Sequence, residues 1–227
     1  MSNVQWLPLE SNPEIITNFM HKMGVERNVE CVDVYGFDDD LIAILPKPCY
    51  ALLLCFPDYK KVDELMSPVY DQLIKQGCNI PNNLFFMKQK ISNACGTFAL
   101  IHALANNRDK IHLGGALKEW LDKALELDAE SRSDSLANNE ELEEAHESCA
   151  RSGDTNVESE HPLEHHFICY VNRDDTLYEI DSRAPFPRAC GATSDDSLIK
   201  DAGYVCKHLM SQLDNLSFSA LAIVRSS

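Results

Sequence analysis

At 227 residues, with 44% hydrophobic and 25% charged residues, the chain has the length and balance for one large domain or two small ones, enough for a sizeable core. Its 36 acids against 20 bases give a formal charge of −16, which disfavours nucleic acid and anionic membrane as partners and favours a basic ligand. Solubility alone is the competing explanation of that acidity.

The segment Met1 to Trp6 has neither a basic start nor an apolar run, so it does not read as a secretory signal. Residues 8–26 read as an amphipathic helix after a proline-containing approach, and 31–35 as a strand. Asp38, Asp39 and Asp40 precede a short helix over 41–45, stopped by Pro46 and Pro48. The run 50–56 is the most apolar of the chain, too short to span a bilayer, and reads as the central strand. A helix over 62–77 ends at glycine. A strand over 84–88 leads into an apolar helix that starts at Cys95. Amphipathic helices follow at 117–127 and 140–151. Strands are expected at 166–171, 176–181 and 220–225, with a helix over 196–212 between the last two. The class is α+β, with a central, mostly antiparallel sheet flanked by helices on both sides. No internal repeat is apparent, and the terminus at Ser227 carries no prenylation box.

The nine cysteines show no C-x-x-C spacing, which argues against a zinc site and a closed disulfide framework. Their odd number, without a signal, points to a reducing compartment, the cytoplasm or the nucleus.

Chemistry concentrates at Gln89-Lys90-Ile91-Ser92-Asn93-Ala94-Cys95-Gly96-Thr97. Most cysteines are packing residues. Cys95, however, opens a helix, where the dipole and unpaired N–H groups favour thiolate over thiol. Ser92-Asn93 bring cap chemistry before it, and Gly96 removes bulk beside the sulfur. Gln89, six residues earlier, is a donor for a developing oxyanion.

A thiolate nucleophile needs a base, and the chain has eight histidines. His21, His112 and His208 lie in polar stretches, and His146 and His161 in an acidic one. His102 is on the Cys95 helix itself, two turns too far along its axis. His165 and His166 remain, at the start of a strand. The strands on either side of Asn172-Arg173-Asp174-Asp175 form a hairpin. If its turn centres on Arg173-Asp174, His166 stands directly opposite Asp181, and His165 points to the other face. A bulge would spoil that register. The alternative is a surface hairpin with an incidental His–Asp pair.

These residues carry a resemblance. Trp6 to Pro13, Val32 to Gly36, Phe86 to Asn107, His166-Phe167-Ile168, and Leu177 to Arg183 with Pro185-Phe186-Pro187 are similar to the ubiquitin carboxyl-terminal hydrolases of the short, single-domain type, nearest the isozyme L3 group. The resemblance runs almost end to end. It implies one catalytic domain over 1–227 with a papain-like core and a knotted backbone. It places the nucleophile on Cys95, the base on His166, the orienting aspartate on Asp181 and the oxyanion glutamine on Gln89. Asp33 and Leu9 fall at substrate-binding positions, Asp33 near the groove for ubiquitin's basic tail. One departure is Ser182, beside Asp181, where glycine is expected.

Residues 152–164 are polar and aperiodic and read as a mobile loop. The resemblance makes them a crossover loop over the cleft, limiting leaving groups to small or unfolded adducts. The implied partner is ubiquitin or a related modifier, the implied state a monomer, and no cofactor is called for. Two rivals stand beside a hydrolase of ubiquitin adducts: a ubiquitin-sequestering protein with slow turnover, and a general papain-like peptidase.

Overall fold

The computed structural model describes residues 4–57, 59–153, 165–213 and 218–226. Among the described residues six antiparallel strands form one sheet: β1 (Val29–Asp33), β2 (Cys49–Phe56), β3 (His166–Arg173), β4 (Thr176–Ile180), β5 (Arg188–Ala192) and β6 (Ser219–Arg225), in the spatial order β1-β6-β2-β3-β4-β5. The helices are α1 (Pro13–Met23), α2 (Asp39–Ala43), α3 (Tyr59–Lys75), α4 (Cys95–Asn106), α5 (Gly115–Ala124), α6 (Ala129–Ala137), α7 (Glu140–Ala150) and α8 (Leu198–Met210).

The unbroken apolar run of β2 follows from burial on both faces. Ala51, Leu53 and Cys55 join one core with residues of α1, α4, α5 and α7, while Leu52, Leu54 and Phe56 join a second with α2 and α8. Alternation along a strand therefore sends both sets of side chains into protein rather than water. The helices do flank the antiparallel sheet on both sides, as expected. All twelve residues of α4 are buried. Among the described residues no helix is long and apolar enough to cross a membrane.

Several boundaries differ from the sequence reading. The first helix starts at Pro13, not residue 8, because Asn12 caps it by accepting from the N–H groups of Glu14 and Ile15. It stops at Gly24, whose φ of 107° favours glycine and whose missing Cβ would sit 2.2 Å from the Gly114 carbonyl oxygen. Helix α6 and strand β5 were not anticipated: α6 has little apolar periodicity, and the five residues of β5 are mostly exposed.

The expected strand over 84–88 is not a strand. Residues 84–90 form no regular element, and side chains and loops, rather than a neighbouring strand, satisfy their backbone. Asn106 of α4 accepts from the Phe85 N–H at 2.7 Å and donates to the Phe85 carbonyl at 2.9 Å. His102 Nε2 accepts from the Met87 N–H at 2.9 Å, and Arg132 donates to the Phe86 carbonyl at 2.8 Å. Buried backbone must be paired, and α4 and α6 supply polar side chains where a strand partner would otherwise be needed.

The hairpin register also needs correction. Asn172 pairs with Leu177 and Cys169 with Ile180, so the turn centres on Asp174-Asp175. Both aspartates have positive φ, 50° and 56°. Aspartate tolerates that conformation in a tight hairpin far better than arginine does. The shift is by two residues, an even number, so the faces are unchanged. Asp181 becomes a diagonal rather than a direct neighbour of His166.

Candidate active site

Three elements converge at the end of the sheet where β3 begins. Cys95 is the first residue of α4, preceded by Ala94, which offers no side-chain cap. The cap chemistry expected of Ser92-Asn93 is absent there; Asn93 instead takes a left-handed φ of 63° that turns the chain into the helix. Without a capping side chain, the first-turn N–H groups and the helix dipole are left for other acceptors. Gly96 lets the helix approach closely: a Cβ there would lie 3.2 Å from Leu9 Cβ and 3.4 Å from the Phe167 ring.

His166 opens β3, with no exposed surface, directly across from Phe56 of β2. Its Nε2 lies 2.8 Å from Asp181 Oδ1. With a proton on Nε2, its Nδ1 is an acceptor, and among the described residues that buried atom has no hydrogen-bond partner besides the neighbouring Cys95 thiol, each of the two shifting the other's ionisation. The carboxylate is held in turn. The Arg183 N–H donates to Oδ1 at 2.8 Å, and the Tyr59 hydroxyl donates to Oδ2 at 3.3 Å. His165 is exposed just outside the strand, and its carbonyl lies 3.9 Å from Cys95 Sγ.

The electrostatics follow from this arrangement. Burial pushes the Cys95 thiol up, but hydrogen bonding to and the positive charge of His166, the Phe167 N–H and Arg183 outweigh it, and the net shift is downward. Burial disfavours protonated His166, yet Asp181 and Cys95 raise its pKa above the ordinary value. Burial likewise opposes ionised Asp181, while His166 and Arg183 hold its pKa below the usual carboxylate range. All three shifts favour a thiolate–imidazolium–carboxylate arrangement, that of an activated sulfur nucleophile. Cys95 differs in this from Cys31, Cys169 and Cys206, whose thiols burial pushes far up.

Gln89 lies on the irregular segment before α4. Its Nε2 donates to the Ile91 carbonyl at 3.0 Å, and its Oε1 accepts from the Ser182 hydroxyl at 2.8 Å. Asp33 ends β1 beside Leu221 of β6, with β6 and β2 between it and β3. Leu9 is buried and packs against the start of α4. All but Ser152 and Gly153 of the expected loop 152–164 lies outside the described residues.

Sequence reasoning missed Tyr59 and Arg183. The Tyr59 ring stacks obliquely on the His166 ring, centroids 4.3 Å apart, and the Arg183 guanidinium sits 4.4 Å over the Tyr59 ring. A tyrosine more than a hundred residues from the histidine it covers leaves no local signal. Arg183 could have been found from its place two residues after Asp181. Among the described residues no group of histidine, cysteine or acidic side chains is arranged to hold a metal ion.

The geometry agrees with comparisons to known proteins. Residues 6–211 match the family model described as ubiquitin carboxyl-terminal hydrolase, family 1. The chain is 39% identical over 219 residues to a ubiquitin carboxyl-terminal hydrolase of Drosophila melanogaster, covering 96% of both chains. It is 36% identical over 226 residues to isozyme L1 of Rattus norvegicus, covering 98% of this chain and all of that one. Its fold is similar to that of the catalytic domain of Trichinella spiralis UCH37 bound to ubiquitin vinyl methyl ester, with a TM-score of 0.76 at 24% identity, over 98% of this chain and 96% of that one. With a matched family model, relatives of the same length and a buried Cys–His–Asp constellation at the start of α4 and β3, this chain belongs to ubiquitin carboxyl-terminal hydrolase family 1.

Proposed function

We propose that the chain is a cysteine-type deubiquitinating enzyme that hydrolyses bonds at the carboxyl-terminal glycine of ubiquitin, releasing small or unfolded adducts. The observation that carries this reading is the lowered Cys95 pKa beside a His166 held by Asp181, in a chain of this family. The Cys95 thiolate attacks the glycine carbonyl carbon, and the carbonyl electron pair moves onto oxygen. Gln89 Nε2 and the Cys95 backbone N–H stabilise that oxyanion; one such donor is worth about 10²–10³ in rate. As the tetrahedral centre collapses, the Nδ1 proton of His166 goes to the leaving amine or thiol. His166 then takes a proton from water, whose oxygen displaces Cys95 and frees ubiquitin. Asp181 keeps the imidazole oriented and stabilises its charged form throughout.

The aligned, polarised base favours turnover over a role limited to sequestration. The net charge of −16 suits the basic tail of ubiquitin, with Asp33 and Leu9 as its substrate-binding residues. The leaving-group limit, the crossover loop over 152–164, the knotted path and a single domain over 1–227 belong to the same reading and rest on the resemblance. The relatives reported above include isozyme L1, so the affinity to the L3 group rests on the sequence stretches alone. Nine free cysteines fit a reducing, cytoplasmic or nuclear setting.

Ubiquitin carrying a carboxyl-terminal electrophile tests the reading. It should modify Cys95 alone, block hydrolysis of a fluorogenic ubiquitin substrate, and leave the other eight cysteines free on peptide mapping. Modification elsewhere with Cys95 untouched would overturn it.

A further inference from the structure

Gln89 is held at three points, and two of them are on one residue. Its backbone N–H donates to the Ser182 carbonyl at 2.8 Å. Its side-chain Oε1 accepts from the Ser182 hydroxyl at 2.8 Å, and its Nε2 donates to the Ile91 carbonyl at 3.0 Å. Ser182 has 1% of its surface exposed and directly follows Asp181, which holds His166. Arg183, next in the chain, returns its N–H to Asp181 Oδ1. One tight segment, residues 181–183, thus grips both the base and the amide.

We propose that Ser182 is a positioning residue for the reaction: its hydroxyl fixes and polarises the Gln89 amide so that the second Nε2 hydrogen points at the developing oxyanion. The inference rests on the proposed hydrolysis and on Gln89 as its oxyanion donor. Three physical consequences support it. An amide whose oxygen is taken by a buried hydroxyl and whose nitrogen faces a carbonyl resists a flip: the flipped form would set Oε1 against the Ile91 oxygen. The reorganisation that would otherwise accompany charge development is removed, and preorganisation is where such donors get their effect. Donation into Oε1 also draws electron density from the amide and strengthens Nε2–H as a donor, the cooperative behaviour of chained hydrogen bonds.

The alternative is that Ser182 merely satisfies buried polar atoms. The two roles separate by kinetics. Turnover of a fluorogenic ubiquitin amide would be measured for wild type, Ser182→Ala, Ser182→Cys, Gln89→Ala and the Ser182→Ala/Gln89→Ala pair, with thermal melts on each. A neutral hydrogen bond is worth about 0.5–1.5 kcal/mol, so Ser182→Ala should lower kcat by about 3- to 10-fold with KM nearly constant. Its pH profile should keep the wild-type limbs, because Asp181 and His166 are untouched. Ser182→Cys, of similar volume but a weaker donor, should fall between. In the Gln89→Ala background Ser182→Ala should have no further effect on kcat. A loss below twofold in Ser182→Ala, or losses that multiply in the pair, overturns the positioning role. If Gln89→Ala is impaired while Ser182→Ala is not, this inference alone fails. If the wild-type protein does not turn over ubiquitin at all, the proposed function fails with it.

Discussion

Two histidines, both with no exposed surface, sit in adjoining parts of one core and have opposite chemistry. His102 lies two turns along α4 from Cys95, among the rings of Phe85, Phe86 and Phe98. The Phe86 ring stacks on it nearly parallel, at 12° and 5.6 Å. Burial pushes its pKa down to about 3, so it is neutral throughout the physiological range and accepts from the Met87 N–H. His166 is as buried, yet its pKa is raised, because a carboxylate stands 2.8 Å from one nitrogen and a thiol beside the other. Burial alone therefore makes a structural acceptor. A paired carboxylate converts a buried imidazole into a base that can hold a proton. Distance along the helix keeps His102 away from Cys95, and it instead holds the segment that carries Gln89.

The comparison breaks most sharply by substituting each histidine. His166→Ala should lower kcat by about 10²–10⁴, the share of acid–base catalysis, while binding of ubiquitin persists. His165→Ala, exposed just outside the strand, should stay within a fewfold. Equal losses in the two would undo the assignment of the base. Asp181→Asn keeps an acceptor for Nε2–H but removes the charge, making the His166 surroundings more like those of His102. The loss in kcat should be smaller than for His166→Ala. Because Asp181 raises the His166 pKa, its removal lowers it, and the alkaline limb of the kcat/KM profile should move to lower pH. An alkaline limb that stays in place would show that the charge of Asp181 does not act on His166.

His102→Ala should act on stability instead. It leaves the buried Met87 N–H without its acceptor, which costs about 1–3 kcal/mol, and opens a cavity besides. Its pH dependence has a definite sign. The folded pKa of about 3 lies below the ordinary value of 6.5, so below 6.5 the unfolded chain binds a proton that the folded chain does not. The stability that His102 contributes is complete above that ordinary value and is lost as pH falls toward 3. Denaturant melts across this window should slope less steeply for His102→Ala than for wild type, with kcat/KM at neutral pH within a fewfold. An unchanged slope would mean that His102 titrates in the fold as it does in the unfolded chain. His166 runs the other way: its raised folded pKa stabilises below the unfolded value, and the contribution is lost as pH rises through the folded one.

What the sequence made legible follows the same division. Helix α4, the β2 run and the strand beginning at His166 are local patterns, written in consecutive apolar residues, and they were read nearly to the residue. The expected strand over 84–88 fails because its short apolar run, Leu84 to Met87, suits a buried strand as well as any other buried segment, while what satisfies its backbone is Asn106, His102 and Arg132, residues whose roles depend on tertiary packing. The hairpin register slipped by two because the turn was centred on arginine rather than on the adjacent aspartates, the residues that tolerate positive φ. The pairing of His166 with Asp181 survived because an even slip preserves the face. Tyr59 and the Ser182 hydroxyl bond were out of reach: each joins positions separated by about a hundred residues, with no periodicity to betray the contact.

The smallest expected effect concerns the packing that seats Cys95. The His102 end of α4 is enclosed by aromatic rings, whereas the Cys95 end is enclosed by Leu9 and Phe167, with Gly96 allowing the approach. Gly96→Ala would place a methyl group 3.2 Å from Leu9 Cβ, closer than relaxed contact, so Leu9 or the first turn of the helix must give by a few tenths of an ångström. Overpacking of this kind costs about 1 kcal/mol, partly offset by the better helix propensity of alanine. Leu9→Ala should itself cost about 2–3 kcal/mol as a buried truncation; the contacted Cβ stays, but with the packed atoms beyond it gone residue 9 is free to yield those few tenths of an ångström. In the Leu9→Ala background, Gly96→Ala should therefore be close to neutral in a thermal melt, a non-additivity expected only of side chains in contact. If the two changes add, the start of α4 is seated by something other than Leu9. A kcat that fell in Gly96→Ala and returned in the pair would show in addition that the tightness of this seat sets how Cys95 meets His166.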